Sequence, residues 1–150
     1  MKFEEEIQQT KPISDERKKA VINVVYTGNK ITDLVLASLK PFDINDQHFN
    51  VLRILKGRFP NPACPGDIRK VLINKRGDLT RLLDKLEKKG WVDRQTNPDN
   101  RRMVDIVLTS KGVQVLDSLN QHFKGAAELE GNLSIEEATV LNQLLDKLRG

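Results

Sequence analysis

The sequence predicts a mainly α-helical chain with one small β hairpin that stands as a wing beside a basic helix. Leucines recur at i, i+3, i+4 and i+7 between residues 79 and 86, which is the spacing of one apolar helix face. Gly90 follows the pair Lys88-Lys89, and cations followed by glycine mark a helix end. Two alternating runs then flank a polar turn that carries two arginines. This order is typical of a groove-reading helix followed by a wing.

Two amphipathic helices are predicted in the first third of the chain. Residues 14–39 have little interruption by glycine or proline, and Pro41 ends their pattern. Residues 44–56 form the second helix, in which Phe49, Leu52 and Leu55 face inward. The apolar positions of the first helix are Val21, Val24, Val25, Ile31, Leu34, Val35 and Leu39.

A short third helix precedes the basic fourth helix. Residues 57–65 are rich in turn-forming residues and contain three prolines, so they break the helical pattern. Residues 65–72 then form the third helix, with proline at its first position and Cys64 as the N-cap. The fourth helix begins near Asn74 or Lys75, since both lie at the junction.

The hairpin is predicted from period-two runs on both sides of residues 97–102. Residues 91–94 lead into this turn and residues 103–108 lead out of it. Because an isolated hairpin is marginal in water, its apolar positions must pack on the preceding helices. Its tip, with Arg101 and Arg102, then projects into solvent.

Two further helices are predicted after the hairpin, and their apolar faces predict a homodimer. Thr109 is a suitable N-cap for a fifth helix that runs to about Leu129, and Ser134 and Glu137 form a capping box before a sixth. The terminal helices offer more apolar surface than the middle segment can cover, and such a patch normally marks an interface. Paired chains would place two basic helices in successive major grooves, about 34 Å apart. The apolar face of the sixth helix is Leu141, Leu144, Leu145 and Leu148.

Positive charge is concentrated in the middle of the chain. Residues 65–102 contain eleven Lys/Arg and six Asp/Glu, whereas the remaining chain has fourteen basic and fifteen acidic residues, which together give the net charge of +4. Phosphate neutralisation supplies most of the sequence-independent affinity for DNA, so this clustering favours a polyanionic partner. The alternative at this point is a basic helix face that is exposed to solvent and binds no polyanion.

Length and composition argue against several other classes of protein. The 150 residues are enough for one domain, or for one DNA-binding module with dimer-forming helices, but not for a second catalytic domain. No apolar run is long enough to span a bilayer, and the acidic start at residues 1–6 is unlike a secretory signal, so we expect a cytoplasmic protein. The single cysteine and the isolated His48 and His122 suggest no disulfide, metal, cofactor or enzyme active site.

Three blocks of the sequence, taken together, resemble the MarR-type (multiple-antibiotic-resistance) regulators. Residues 79–92 resemble that family's recognition helix, residues 100–102 resemble its wing signature, and Val107-Leu108-Thr109-Ser110-Lys111-Gly112 resembles its closing motif. The resemblance implies a winged helix-turn-helix protomer over residues 1–150. It further implies a DNA-binding lobe at about 44–109 and dimerisation helices at about 14–40 and 110–149.

The same resemblance implies how such a protomer acts. Members bind a pseudo-palindromic operator as homodimers, usually as repressors. Many release DNA when a small aromatic or phenolic ligand binds between the dimerisation helices and the DNA-binding lobe. Apolar residues such as Val25, Phe49 and Leu52 either line such a pocket or fill the core, and the core is favoured. One departure is visible, because Asn100 stands where the family usually has aspartate, two residues before Arg102. Asparagine can bond the wing backbone but cannot form the charged pair, which affects the rigidity of the wing.

The candidate DNA contacts lie on the fourth helix and the wing tip. Arg81 is the foremost candidate on the helix, whereas Asp78 either accepts from a cytosine amine or caps the helix. Arg101 and Arg102 suit the minor groove, the alternative being that one of them braces the wing internally. The full set is Arg76, Asp78, Thr80, Arg81, Lys85, Asn100, Arg101 and Arg102.

Other interpretations of single residues and of the whole chain remain open. Trp91 follows the helix-ending glycine, where core packing is favoured over a stacking platform for single strands. Cys64 is either a redox sensor or a structural cap, and the family's peroxide sensors carry their cysteine in the first helix. As a whole, the chain is either an operator-binding regulator or a winged-helix module that binds another protein.

Overall fold

A computed structural model describes residues 2–123 and 129–150. Residues up to Leu34 form one compact unit, and Val35–Gly150 form a second. A short 3-10 helix spans Lys40–Phe42. The helices and strands in chain order are α1 (Phe3–Glu6), α2 (Glu16–Leu39), α3 (Asp46–Arg58), α4 (Pro65–Val71), α5 (Leu79–Lys88), β1 (Val92–Thr96), β2 (Val104–Leu108), α6 (Ser110–His122) and α7 (Ile135–Arg149). The mainly α-helical fold with a two-stranded wing is therefore confirmed.

The first unit contains α1, a helix that the sequence pattern did not predict. The Phe3 ring meets the Tyr26 ring edge-on, with centroids 5.6 Å apart. The Glu6 carboxylate accepts hydrogen bonds from the Tyr26 hydroxyl at 3.1 Å and from the Lys30 ammonium at 2.6 Å. Lys19 also pairs with Glu4 at 3.2 Å. Because these partners lie on α2, the four-residue helix α1 is held by tertiary contacts rather than by its own periodicity.

Helices α3 and α4 both begin at side-chain caps. Asn45 accepts a hydrogen bond from the His48 amide at 3.1 Å at the start of α3. At the start of α4, the Cys64 sulfur accepts from the Asp67 amide at 3.4 Å, and Pro65 occupies the first helical position. The predicted role of Cys64 as an N-cap is confirmed.

An apolar core lies among α3 to α6, the hairpin and the last residue of α2. The leucine stripe of α5 is buried, as its spacing predicts, and so are Phe49, Leu52 and Leu55 of α3. Trp91 packs in this core, in agreement with the structural interpretation. The side chains that are almost fully buried are Leu39, Val51, Leu52, Leu55, Ile68, Leu79, Leu86, Val92, Ile106, Leu116 and Leu119.

The hairpin is antiparallel, and its base is joined to the helical part of the unit. Val92 pairs with Leu108 at the base, and Thr96 pairs with Val104 next to the tip. Ile106 also exchanges two backbone hydrogen bonds of 2.8 Å with Ala63, in the loop before α4. This extra pairing covers the outer edge of β2, so the wing is fixed at its base while its tip remains free.

The C-terminal helices begin where they were predicted to begin. Thr109 accepts from the Gly112 amide at 3.0 Å at the start of α6. The capping box of α7 is complete, since the Ser134 amide donates to Glu137 at 2.8 Å and the Glu137 amide donates to Ser134 at 3.2 Å. The fifth helix was predicted to reach about Leu129, but α6 ends at His122, and part of that prediction, residues 124–128, lies outside the described residues.

Both terminal segments present apolar side chains to solvent. The interpretation of Val25 as a core residue is wrong for the single chain, because Val25 is 59% exposed. Within the described residues, α7 buries no side chain. Its exposed apolar residues are Ile135, Val140, Leu141, Leu144 and Leu148. Helix α2 also exposes Val21, Ile22, Val24, Ile31 and Leu34.

Candidate nucleic-acid interface

The N-terminal end of α5 is organised by Asp78. Its carboxylate accepts hydrogen bonds from the amides of Thr80 at 3.1 Å and Arg81 at 3.3 Å. Asp78 therefore caps the helix, which is the structural alternative offered by the sequence. This cap leaves the Arg81 side chain pointing outward from the first turn, exposed to solvent.

The predicted start of this helix near Asn74 or Lys75 is wrong, because α5 begins at Leu79, directly after the Asp78 cap. Arg76 lies in the turn before the helix, where its amide donates to the Asn74 side-chain oxygen at 3.0 Å. The Asn74 side chain therefore stabilises a turn here rather than a helix start.

The C-terminal end of α5 is closed by a left-handed glycine. Gly90 has φ of 71°, and its amide donates to the Glu87 carbonyl at 2.8 Å. The Trp91 amide then reaches the Leu86 carbonyl at 3.0 Å, which completes a Schellman motif. Burial of Trp91 and the Lys89 ammonium 5.1 Å from its ring centre hold the chain as it turns into β1.

The wing tip is organised by two asparagine side chains. The Asn97 carbonyl oxygen accepts from the amides of Asp99 and Asn100, both at 2.9 Å. Its amide group donates to the buried Asp105 carboxylate at 2.8 Å. Asn100 in turn accepts from the Arg102 amide at 3.1 Å, so the asparagine that replaces the family's aspartate bonds the wing backbone as expected.

The two arginine side chains at the wing tip are exposed. Among the described residues, neither the Arg101 nor the Arg102 guanidinium takes part in an ion pair. The alternative in which one of them braces the wing through its side chain is therefore not seen. Both charges remain available to an external anion.

Arg94 of β1 connects the wing to α5. One guanidinium nitrogen lies 2.5 Å from the Asp84 carboxylate, and the other bonds the Glu87 carboxylate. The hydrogen bond that Arg94 donates to Asp84 is the largest cause of the raised pKa of Arg94. A guanidinium can make this fork because its donors are planar and fixed, which a lysine cannot reproduce. The fork couples the orientation of the wing to that of the helix.

The junction between α5, the wing and α6 depends on Thr109 and Gly112. The Thr109 hydroxyl donates to the Gly90 carbonyl at 2.7 Å, and its amide donates to the Trp91 carbonyl at 3.1 Å. A Cβ added at Gly112 would lie 2.2 Å from that same carbonyl oxygen. The close approach requires glycine and gives a physical reason for the Leu-Thr-x-x-Gly block of the sequence.

Lys85 is placed differently from Arg81, although both lie on α5. Its ammonium lies 3.0 Å from the Asp43 carboxylate, and Lys89 lies 3.4 Å from the other oxygen of the same carboxylate. We call this group the Asp43 cluster. Lys85 therefore already has an anionic partner in the free protein.

A cleft of about 490 Å³ lies beside the start of α3. His48 is only 7% exposed there, and its Nδ1 lies 2.5 Å from the Asn45 side-chain oxygen. Burial is the first cause of the lowered pKa of His48, and the charge of Lys85 adds to it. We call this space the His48 cleft, and its lining is Leu36, Ala37, Lys40, Asp43, Ile44, Asn45, His48 and Lys85.

The structure brings the predicted site residues into two groups on one unit. Thr80, Arg81 and Lys85 lie on α5, preceded by Arg76 and Asp78, while Asn100, Arg101 and Arg102 form the wing tip. Sequence reasoning missed Asp43, Arg94, Asn97 and Gly112 as residues that position this surface. Asn97 had a local signal, since Asn-Pro favours a turn, and Gly112 stood in the closing motif without a structural role.

The described residues contain neither a metal-binding cluster nor a membrane-spanning helix. No group of His, Cys, Asp and Glu side chains there could hold a metal ion. None of the helices in the described part of the chain combines the length and apolar character needed to cross a bilayer.

Comparison with known proteins gives consistent results. The family model described as "MarR family" matches residues 44–104, which run from the start of α3 into β2. The multiple antibiotic resistance protein MarR of Salmonella typhimurium is 35% identical over 129 residues, covering 83% of this chain and 88% of that protein. The transcriptional repressor MprA of Escherichia coli is 32% identical over 111 residues, covering 73% of this chain and 63% of that protein.

One similar solved structure contains nucleic acid. It is a mutant MarR from Escherichia coli complexed with operator DNA, which superposes with a TM-score of 0.76 at 31% identity. The alignment covers 92% of this chain and 99% of that one.

Proposed function

Since the chain belongs to the MarR family of transcriptional regulators, we propose that it binds a double-stranded DNA operator and represses transcription. In this proposal, α5 enters the major groove and the wing tip reaches the adjacent minor groove. Regulation of this kind needs no catalytic chemistry, and we propose a non-enzymatic, cytoplasmic protein. The proposed DNA lobe comprises residues of about 44–109, and the dimerisation helices comprise about 14–40 and 110–149.

The observation that carries the proposal is the arrangement, around α5, of cations that form no ion pair with any described residue. Arg81 projects from the first turn of the helix, where side chains reach base edges. Arg101 and Arg102 stand on a tip whose backbone is fixed by Asn97 and Asn100. Rigid placement matters because contacts to phosphate set the register while contacts to bases set the specificity.

The remaining candidates receive narrower roles. Arg76 and Thr80 flank the capped helix start, where both can contact phosphate or base edges. Asp78 acts by capping α5 and thereby orients Arg81. Lys85 reaches phosphate only by exchanging its partner Asp43, and Asn100 shapes the wing backbone that carries Arg102.

We further propose a homodimer and a small-molecule effector. The apolar residues that α2 and α7 expose are the surface expected of helices that pair with a second copy. The His48 cleft combines three apolar residues with five polar or charged ones, so it offers both an apolar surface for an aromatic ring and hydrogen-bond partners for a phenolic oxygen. Its shared residue Lys85 also belongs to α5, so an occupant could alter the DNA-facing helix.

A titration of labelled duplex DNA tests the proposal. Wild type should bind a duplex from the region upstream of its own gene with steep salt dependence, and should bind a scrambled duplex of equal length much more weakly. Arg81→Ala should reduce selectivity between the two duplexes, whereas Arg102→Ala should weaken operator binding through the minor groove. Weak binding that is blind to sequence would overturn the proposal and favour a protein-interaction module.

The effector is tested separately with phenol and benzoate as probes. Either probe should shift Trp91 fluorescence and weaken operator binding if it occupies the His48 cleft. The variant Ala37→Phe should fill the cleft and abolish both responses while operator binding remains. A response that persists in this variant would exclude the His48 cleft as the effector site.

A further inference from the structure

The Asp43 cluster lies at the edge of the surface proposed to meet DNA. Asp43 and Lys85 line a cleft of about 570 Å³ together with Arg81, Asp84, Lys88 and Lys89, and we call it the cationic cleft. Four of these side chains are cations, and Arg81 is the foremost candidate for a base contact. The Asp43 carboxylate therefore occupies a position among lysines where an anion is electrostatically favoured.

The geometry of Asp43 suits a carboxylate that stands in for an external anion. Its two oxygens are divided between Lys85 at 3.0 Å and Lys89 at 3.4 Å. The hydrogen bond from Lys85, followed by that from Lys89, lowers the pKa of Asp43, so the carboxylate stays ionised at neutral pH. Its side chain is 77% exposed, whereas those of Lys85 and Lys89 are 37% and 24% exposed.

The exposure of Asp43 means that these ion pairs are easily exchanged. Ion pairs that face solvent are weak because water and salt screen them. A DNA phosphate that approaches the cationic cleft can replace the carboxylate with little net change in the number of pairs. Because the lysines lose the carboxylate when they gain the phosphate, a nonspecific phosphate contact adds less binding free energy than it would if Asp43 were absent.

We propose that Asp43 competes with the DNA backbone for Lys85 and Lys89 and thereby lowers sequence-independent binding. This inference rests on the proposed DNA-binding function and adds a residue that determines specificity. Operator binding depends on base contacts by Arg81 and on the wing, neither of which Asp43 touches within the described residues. A duplex without an operator offers only phosphates, so Asp43 reduces its affinity more strongly.

The backbone at Asp43 allows a conservative test. Asp43 has φ of 53° and ψ of 44°, the left-handed region that asparagine also tolerates well. Asp43→Asn should therefore keep the turn and remove only the charge. Asp46→Asn is the matched control, because it removes the same charge three residues later from a side chain with no ion pair among the described residues.

The experiment measures binding of an operator duplex and of a scrambled duplex from 50 to 200 mM salt. Each additional phosphate contact steepens the salt slope by about 0.9, which is about 3.5-fold in affinity over this range. Asp43→Asn should therefore steepen the slope for the scrambled duplex by about 0.9 to 1.8 and reduce the preference for the operator. Asp46→Asn should leave the salt slope and the preference for the operator close to the wild-type values.

A double-mutant cycle identifies the lysine responsible. Lys85→Gln should flatten the salt slope more in the Asp43→Asn background than in wild type, because in wild type Asp43 already occupies Lys85. The inference is overturned if Asp43→Asn and Asp46→Asn change the slopes equally, or if the effect of Lys85→Gln is the same in both backgrounds. Failure of the wild-type protein to prefer the operator would instead overturn the proposed function.

Discussion

The substitution Gly112→Ala is expected to loosen the junction that holds the wing against α5 and α6. The added Cβ would lie 2.2 Å from the Trp91 carbonyl oxygen and 2.8 Å from a methyl carbon of Leu108. The Trp91 carbonyl is backbone and cannot rotate aside as a flexible side chain can, so the start of α6 must move away from it. Overpacking of this kind costs about 1–3 kcal/mol.

The movement would also disturb nearby hydrogen bonds. The Thr109 amide bonds the Trp91 carbonyl at 3.1 Å, and the Gly112 amide bonds the Thr109 hydroxyl at 3.0 Å. Loss of each costs about 1 kcal/mol, while alanine regains about 1 kcal/mol of helix propensity. The free energy of unfolding should therefore fall by about 2–4 kcal/mol, which lowers Tm by about 5–15 °C.

Thermal and urea unfolding at a fixed protomer concentration measure this change, since dimer formation would make Tm depend on concentration. The matched control is Gly57→Ala in α3, where an added Cβ meets nothing within 4 Å. That variant should be more stable than wild type by up to about 1 kcal/mol. The reasoning is refuted if Gly112→Ala is as stable as wild type or gains stability as Gly57→Ala does.

Three further predictions concern the wing, pH and assembly. Arg94→Gln should weaken operator binding about 2- to 10-fold, because it removes two partly exposed ion pairs, and Arg94→Lys should restore little of the affinity. Anisotropy titrations in which Arg94→Gln binds the operator as tightly as wild type would contradict this. Because the pKa of His48 is lowered in the folded state, its contribution to stability is complete above the ordinary value of 6.5 and is lost as pH falls through the lowered value. Urea unfolding across this range should show a smaller loss in His48→Gln, and equal pH slopes would disprove the link. Leu144→Glu should yield monomers in light scattering, because Leu144 is 59% exposed in the single chain and would face the second copy, whereas Gln143→Glu should remain dimeric. An unchanged mass for Leu144→Glu would exclude this face of α7 as the dimer interface.

Local patterns were sufficient to predict most elements of this chain. The leucine stripe of α5, the glycine at its end and the turn at residues 97–102 act over a few residues, so each could be recognised without a structure. The caps at Cys64, Thr109 and Ser134 were predicted for the same reason. The exposure of Val25 was not, because a helix pattern indicates which face is apolar but not what covers it.

The residues that position the site depend on contacts between distant parts of the chain. Asp43 and Lys85 are 42 residues apart, and no periodicity links a turn after α2 to a lysine on α5. Arg94 reaches back across the helix end to Asp84 and Glu87. Helix α1 depends likewise on Tyr26 and Lys30, which lie 20 and 24 residues beyond Glu6. Such pairs are visible only when the fold is known.

Hydroxyl-radical footprinting of the wild-type protein on DNA upstream of its gene, with the number of bound protomers measured in parallel, tests the central claim most directly. Two protomers of this chain should protect two half-sites related by a dyad, with centres about 10 base pairs or a multiple of that apart. Protection of one half-site by one protomer, or uniform protection along the duplex, would contradict the account.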